Sequence, residues 1–223
     1  MGDNPERDRR DQATLLRCLL AMTVVTGVVD AVSILRLGHV FVANMTGNVA
    51  FLGFALAGAS GFSVLASVVA VAAFIAGAAI TARTGKGTPR HALGRTAAVE
   101  AALCAAATIV ALAGTGTAPR YAIAVVLALA MGGQNATARK LAVPDMTTTV
   151  LTLTLTGLAA DRPDLGRPGS HTRRRGAAIA AMLVGAISGA LLVLHVSTAC
   201  ALGLATAILA AVAHTAWKHR DPT

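Results

Sequence analysis

The chain has 223 residues, 55% hydrophobic and only 13% charged, with a formal net charge of +9. A soluble domain carries about 25% charged residues, and a charge placed in hydrocarbon costs roughly 2.5–3.5 kcal/mol on insertion scales. An ordinary soluble domain is therefore excluded, and an all-α membrane protein is expected. The basic residues lie between apolar segments and form no motif on a soluble fold, which excludes nucleic acid as a partner and leaves membrane lipids.

In chain order, residues 1–14 read as a polar cytoplasmic tail, and 15–217 as a single transmembrane domain ending in a second tail, 218–223. A span needs about 20 apolar residues to cross roughly 30 Å. Six segments reach that length: 15–35, 62–82, 92–113, 119–138, 176–195 and 197–217. The first is too long for the core of a cleaved leader and contains Asp30, so it is read as an uncleaved span. Two further apolar segments, 46–59 and 147–160, are too short to cross.

The charges decide how many segments cross. With six crossings and a cytoplasmic N-terminus, all of the 19 Lys and Arg residues except Arg36 and Arg120 lie on the cytoplasmic side. Eight crossings would place the basic loop 83–95 outside. The expectation is a multi-pass protein of the bacterial plasma (inner) membrane with both termini in the cytoplasm. Gly185 and Gly189 in the fifth span, and Ala73 and Gly77 in the second, are small-residue pairs that let helices approach closely. Packing within the bundle is the first reading of these pairs, and a homo-oligomer seam the second.

The two halves share a pattern. Gly27, Asp30 and Ala31, followed by Asn44, Met45, Thr46, Gly47 and Asn48, recur as Gly132, Asn135 and Ala136, followed by Asp145, Met146, Thr147, Thr148 and Thr149. Three full spans per half turn the second half upside down, so the sequence predicts two inverted repeats, about 15–114 and 119–217. Each holds a short re-entrant half-helix. The run from His39 to Ala43 is expected to be extended, and the ten-residue link 36–45 that holds it is long enough to bring the first half-helix start to the midplane. Thr and Asn suit such starts because their side chains cap free N–H groups, and paired helix N-termini favour an anion or polar solute.

The binding residues expected on this basis are Asp30, Asn44, Thr46, Gly47 and Asn48 in the first half. In the second they are Gln134, Asn135, Asp145, Thr147, Thr148 and Thr149. Asp30 is the strongest, because an intramembrane carboxylate marks a functional site by default; Arg36 and His39 are its expected neighbours. Glu100, in the third span, is read as snorkelling or pairing with Arg95 or Arg139. Cys18, Cys104 and Cys200 are far apart and read as small buried hydrophobes. The histidines do not group, so neither a metal site nor any cofactor is expected. Gly85, Lys86, Gly87 and Thr88 imitate the end of a phosphate loop, but no strand precedes them and the leading glycine is absent (Ile80). No nucleophile and base pair appears, so an enzyme is not expected.

The motifs resemble the YoaK family of small bacterial membrane proteins of unassigned function. The resemblance rests on Val29 to Ser33, Gly38 to Asn48, Gly132 to Ala136 and Val143 to Thr152, the last similar to the actinobacterial branch. Other branches carry a histidine where this chain has Thr149, so no role of that histidine carries over. The resemblance implies a polytopic membrane protein and supplies no substrate. The leading function is a small secondary transporter or permease for an anionic or polar solute; the alternative is a membrane scaffold or regulatory subunit of a partner complex.

Overall fold

Inside hydrocarbon every backbone N–H and C=O must find a partner within the protein, and a helix does this locally. The computed structural model describes residues 5–84, 88–114, 116–141, 155–156 and 170–218. Among these it contains seven helices: α1 (Pro5–Arg36), α2 (Met45–Leu56), α3 (Val64–Thr84), α4 (Pro89–Ala113), α5 (Thr117–Leu141), α6 (Ser170–His195) and α7 (Thr198–Lys218). All but α2 are long and apolar enough to cross a membrane, so the six expected spans are all present, and the short segment 46–59 is α2. The other short segment, 147–160, lies outside the described residues except for a helical pair at 155–156.

Side-chain hydroxyls within the spans follow the same rule as the backbone. Thr23 donates to the Leu19 carbonyl (2.9 Å), Thr108 to Cys104 (2.8 Å) and Thr206 to Leu202 (2.9 Å). Each bond closes on the residue's own helix and satisfies a hydroxyl that would otherwise lack a partner in an apolar setting. That face is apolar: Leu65, Ile75, Ile109, Leu112, Leu183 and Leu194 are all exposed.

α1 and α5 form the centre. Of their apolar windows 67% and 61% are buried, against 22–39% for the other four spans. Each central helix has one close companion, α6 for α1 and α3 for α5, and glycines set both approaches. A Cβ on Gly185 would collide with the Val24 carbonyl, and one on Gly27 would collide with the Met182 carbonyl and the Ala186 nitrogen. In the second pair a Cβ on Gly77 would strike the Leu129 carbonyl, and one on Gly132 the Phe74 carbonyl and the Ala78 nitrogen. The same small-residue contacts therefore occur twice, and the small-residue pairs noted in the sequence serve packing within the bundle.

Contacts also fix the helix directions. Along α1 and α6, Val24 faces Gly185, Val28 faces Gly189 and Arg36 reaches the Val193 carbonyl, so the two run in the same sense. α4 and α5 run oppositely, since Thr96 meets Thr137 and Glu100 meets Gln134. Arg90 lies near Cys18, and Thr26 and Glu100 share Gln134, so α1 and α4 run alike. One end of the bundle consequently gathers Arg90, Arg95, Arg139, Lys140 and Lys218, and Trp217 covers Gly94 there. At the other end Ser63 and Tyr121 share a hydrogen bond (3.2 Å) and Phe41, Phe51, Phe54 and Phe62 cluster with His39.

The link from α1 to α2 departs from the extended run expected for His39 to Ala43. Gly38 (φ 93°) and His39 (φ 55°) both occupy the left-handed region and turn the chain back sharply. Val40, Val42 and Ala43 are buried, with no strand assigned. The link returns only as far as Asp30, and helix from Asp30 to Arg36 rises about 9 Å.

Candidate functional site

The expected first-half residues do come together, around this link. Asp30 is buried and accepts a hydrogen bond from the Ala43 N–H (3.3 Å), and the Val42 N–H also reaches its carboxylate. Asn48, fully enclosed, accepts from the Phe41 N–H (2.8 Å) and donates to the Phe41 carbonyl (2.6 Å), mimicking a strand partner. Asn44 caps α2 by accepting from the Gly47 N–H (3.4 Å). Gly47 is needed because a Cβ would collide with the Phe41 ring, while Thr46 is exposed. Side chains and backbone here spend their hydrogen-bonding capacity on one another. Arg36 and His39 are not the partners of Asp30: Arg36 donates to the Val193 carbonyl (3.0 Å), and the His39 ring lies against Phe62.

In the second half, Asn135 donates to the Met131 carbonyl of its own helix (2.8 Å). Asp145, Thr147, Thr148 and Thr149 lie outside the described residues. Gln134 is fully buried and leads to a residue that sequence reasoning had set aside. Glu100 neither snorkels nor turns to Arg95 or Arg139. It is 1% exposed, and its carboxylate faces the Gln134 amide. With the amide nitrogen toward it, Gln134 donates to the two carboxylate oxygens (2.7 and 3.2 Å) while its oxygen accepts from the Thr26 hydroxyl (2.8 Å). Beside this triad Thr96 and Thr137 share a buried hydrogen bond (2.7 Å).

Glu100 also borders a cavity of about 460 Å³ between α3, α4 and α5. Gly77, Ala92, Ala130, Gly133 and Ala136 line it, although Gly77 and Gly133 themselves pack closely, against the Leu129 carbonyl and the Thr81 hydroxyl. Val99, Leu103 and Leu129 make its walls apolar, and Thr81, Thr84, Thr96 and Thr137 add hydroxyls. Arg95, Arg139 and Lys140 stand at the basic end of the bundle. Arg95 is held over the cavity edge by a bond to the Thr84 carbonyl that ends α3. The arrangement is a space large enough for a small solute, with cations at one end and a buried carboxylate at its border, the form expected of a small-solute site.

Among the described residues no cluster of His, Cys, Asp and Glu has metal-ligand geometry. Cys18 and Cys104 are buried as expected, but Cys200 is exposed on α7. Thr88, from the rejected phosphate-loop imitation, is the N-cap of α4, accepting from the His91 N–H (3.4 Å).

A family model described as a protein of unknown function (DUF1275) matches residues 18–215. The chain is also 34% identical over 151 residues to the UPF0700 transmembrane protein YoaK of Bacillus subtilis (strain 168), covering 66% of this chain. The aligned stretch spans a little under two thirds of that relative, 65% of its length. No solved structure matches. The match over nearly the whole transmembrane bundle, together with the six apolar helices, makes this chain a membrane protein belonging to the DUF1275 family, the family of YoaK.

Proposed function

We propose that the chain is a small secondary transporter whose solute enters the cavity between α3, α4 and α5 and is sensed by the buried Glu100. The observation that carries this reading is the cavity itself. A space of about 460 Å³ has three cations at one end and reaches an intramembrane carboxylate. A bundle needed only as a scaffold gains nothing from an open volume beside a buried acid. The cations favour an anionic solute, and the apolar walls favour one with a hydrocarbon body. Of the residues expected from sequence, Gln134 belongs to this site. Asp30, Asn44, Gly47 and Asn48 shape the neighbouring break in the chain.

The basic end is assigned to the cytoplasm of the plasma membrane by the positive-inside bias. Internal symmetry supports the same reading. Gly27, Val24, Gly185 and Met182 in one helix pair correspond to Gly132, Leu129, Gly77 and Phe74 in the other. The central helices α1 and α5 run in opposite senses. These relations support two inverted repeats, the architecture of many secondary transporters. In this reading α2 is a re-entrant half-helix.

The test is ligand-induced thermal stabilisation of the purified protein against a panel of small organic anions, followed by flux in proteoliposomes. At least one carboxylate or phosphate compound with an apolar body is expected to stabilise the wild type and cross the membrane. An Arg95→Ala/Arg139→Ala variant should lose both effects. Stabilisation that survives in this variant, or the absence of stabilisation and flux across the panel, contradicts the reading.

A further inference from the structure

We infer that Glu100, Gln134 and Thr26 form a proton-binding site in which one proton reverses a hydrogen-bond chain from α4 through α5 to α1. This deepens the transporter reading by naming the coupling ion of its site, and it rests on that reading only for the word coupling. Proton binding itself stands on the geometry.

The three side chains admit two complete arrangements on the same heavy-atom positions. With Glu100 ionised, the Gln134 nitrogen must face it: that nitrogen donates at 2.7 and 3.2 Å, and the amide oxygen accepts from Thr26 at 2.8 Å. With Glu100 protonated, its O–H donates to the Gln134 oxygen. The amide nitrogen then donates to the Thr26 hydroxyl at 2.8 Å, and Thr26 donates to the Met22 carbonyl at 3.0 Å. In both arrangements each buried group has a partner, so the usual cost of an unmade buried hydrogen bond is avoided. One proton is added to a carboxylate oxygen, no other covalent bond is made or broken, the hydrogen bonds reverse direction, and the amide turns by half a rotation about its terminal torsion.

Glutamine is the side chain suited to this place. A leucine cannot take part, a second carboxylate would repel the first, and an amide presents a donor or an acceptor by turning over. The proton has a route, because Glu100, Thr96 and Thr137 all border the cavity. Among the described residues the other titratable groups near the site are few. On α4 Arg95 stands at the cavity end and Cys104 lies one turn beyond Glu100; on α5 Arg139 and Lys140 share the cavity end. On α1 Asp30 lies one turn past Thr26 and Cys18 about two turns before it; the α3 residues lining the cavity are uncharged. His214 and Lys218 of α7 are exposed. The reversal ends on Thr26, one turn from Asp30 and its link, so protonation in the cavity changes a bond on the helix that carries the chain break.

The experiment is infrared difference spectroscopy of the protein in lipid nanodiscs as the pH is varied. A carboxylic C=O band is expected to grow as the pH falls, to vanish in Glu100→Gln and to persist in Asp30→Asn. The side-chain amide band should shift with the same midpoint, and that shift should vanish in Gln134→Leu, which also moves the carboxyl midpoint. Glu100→Asp keeps the group with a shorter reach and should retain a titrating band at a different midpoint. Three results overturn the inference: no titrating carboxyl band in the wild type, a band unchanged in Glu100→Gln, or a carboxyl midpoint unmoved in Gln134→Leu. Loss of flux with the titrating band intact counts against the transporter reading alone. Flux without a Glu100 band counts against the proton site alone.

Discussion

Asp30 and Glu100 are both carboxylates enclosed by the bundle, yet their surroundings differ in kind. Asp30 faces backbone: the N–H groups of the α1–α2 link converge on it, and Asn48 closes the same link from the other side. Glu100 faces a side-chain amide that can turn over, and a cavity that admits water-sized groups. The first acid secures an irregular stretch where loose peptide groups would be costly. The second keeps its partner adjustable. Burial of a charged residue in a membrane protein marks importance, but its partners decide whether that importance is architectural or chemical.

This comparison predicts that substitutions at the link lower stability, while substitutions at the cavity change binding or protonation and leave the fold. The largest loss is expected for Asn48→Ala, which orphans both polar groups of the Phe41 peptide. Stability should fall by about 2–4 kcal/mol at typical costs per unmade buried bond, read from thermal unfolding in detergent. Asp30→Leu strands the link N–H groups and should cost about 2–3 kcal/mol, whereas Asp30→Asn keeps an acceptor and should cost under about 1 kcal/mol. Equal damage from both Asp30 variants would show that the charge matters beyond the hydrogen bonds. Glu100→Gln is expected to unfold within about 1 kcal/mol of the wild type, because the amide can pair with Gln134, but with its titration gone. A strongly destabilised Glu100→Gln would erase the distinction between the two sites. The smallest change in the fold is expected for Arg139→Ala, an exposed residue: an unchanged melting temperature, with weaker stabilisation by anionic solutes.

Much of the frame was legible in the sequence. Long apolar runs marked the six spans, because hydrocarbon tolerates so little else. The glycines at 77, 185 and 189 announced close packing, and the short apolar segment 46–59 announced α2, although its cap is Asn44, expected from the sequence as a binding residue. Asp30 stood out as an acid in an apolar run. Glu100 did not, because its meaning depends on the register of α4 against α5, which brings Gln134 opposite it. No spacing along the chain records that register. The cavity was hidden for a related reason: small residues such as Ala130 and Ala136 line it, and small residues in a span read equally well as tight packing. The turn at Gly38 and His39 was missed because β-branched neighbours favour extended backbone, and tertiary burial overrode that preference.

The most direct test of the account compares solvent access at the two sites. Cys18, Cys104 and Cys200 are first replaced, and single cysteines are then introduced at Thr137, in the cavity, and at Val42, in the link. A membrane-impermeant thiol reagent is applied to each face of sealed vesicles in turn. Thr137→Cys is expected to react from the cytoplasmic face and to be slowed by a bound anion, while Val42→Cys stays unreactive from either face. Rapid labelling of Val42→Cys with none at Thr137→Cys would place the open site at the chain break and contradict the account.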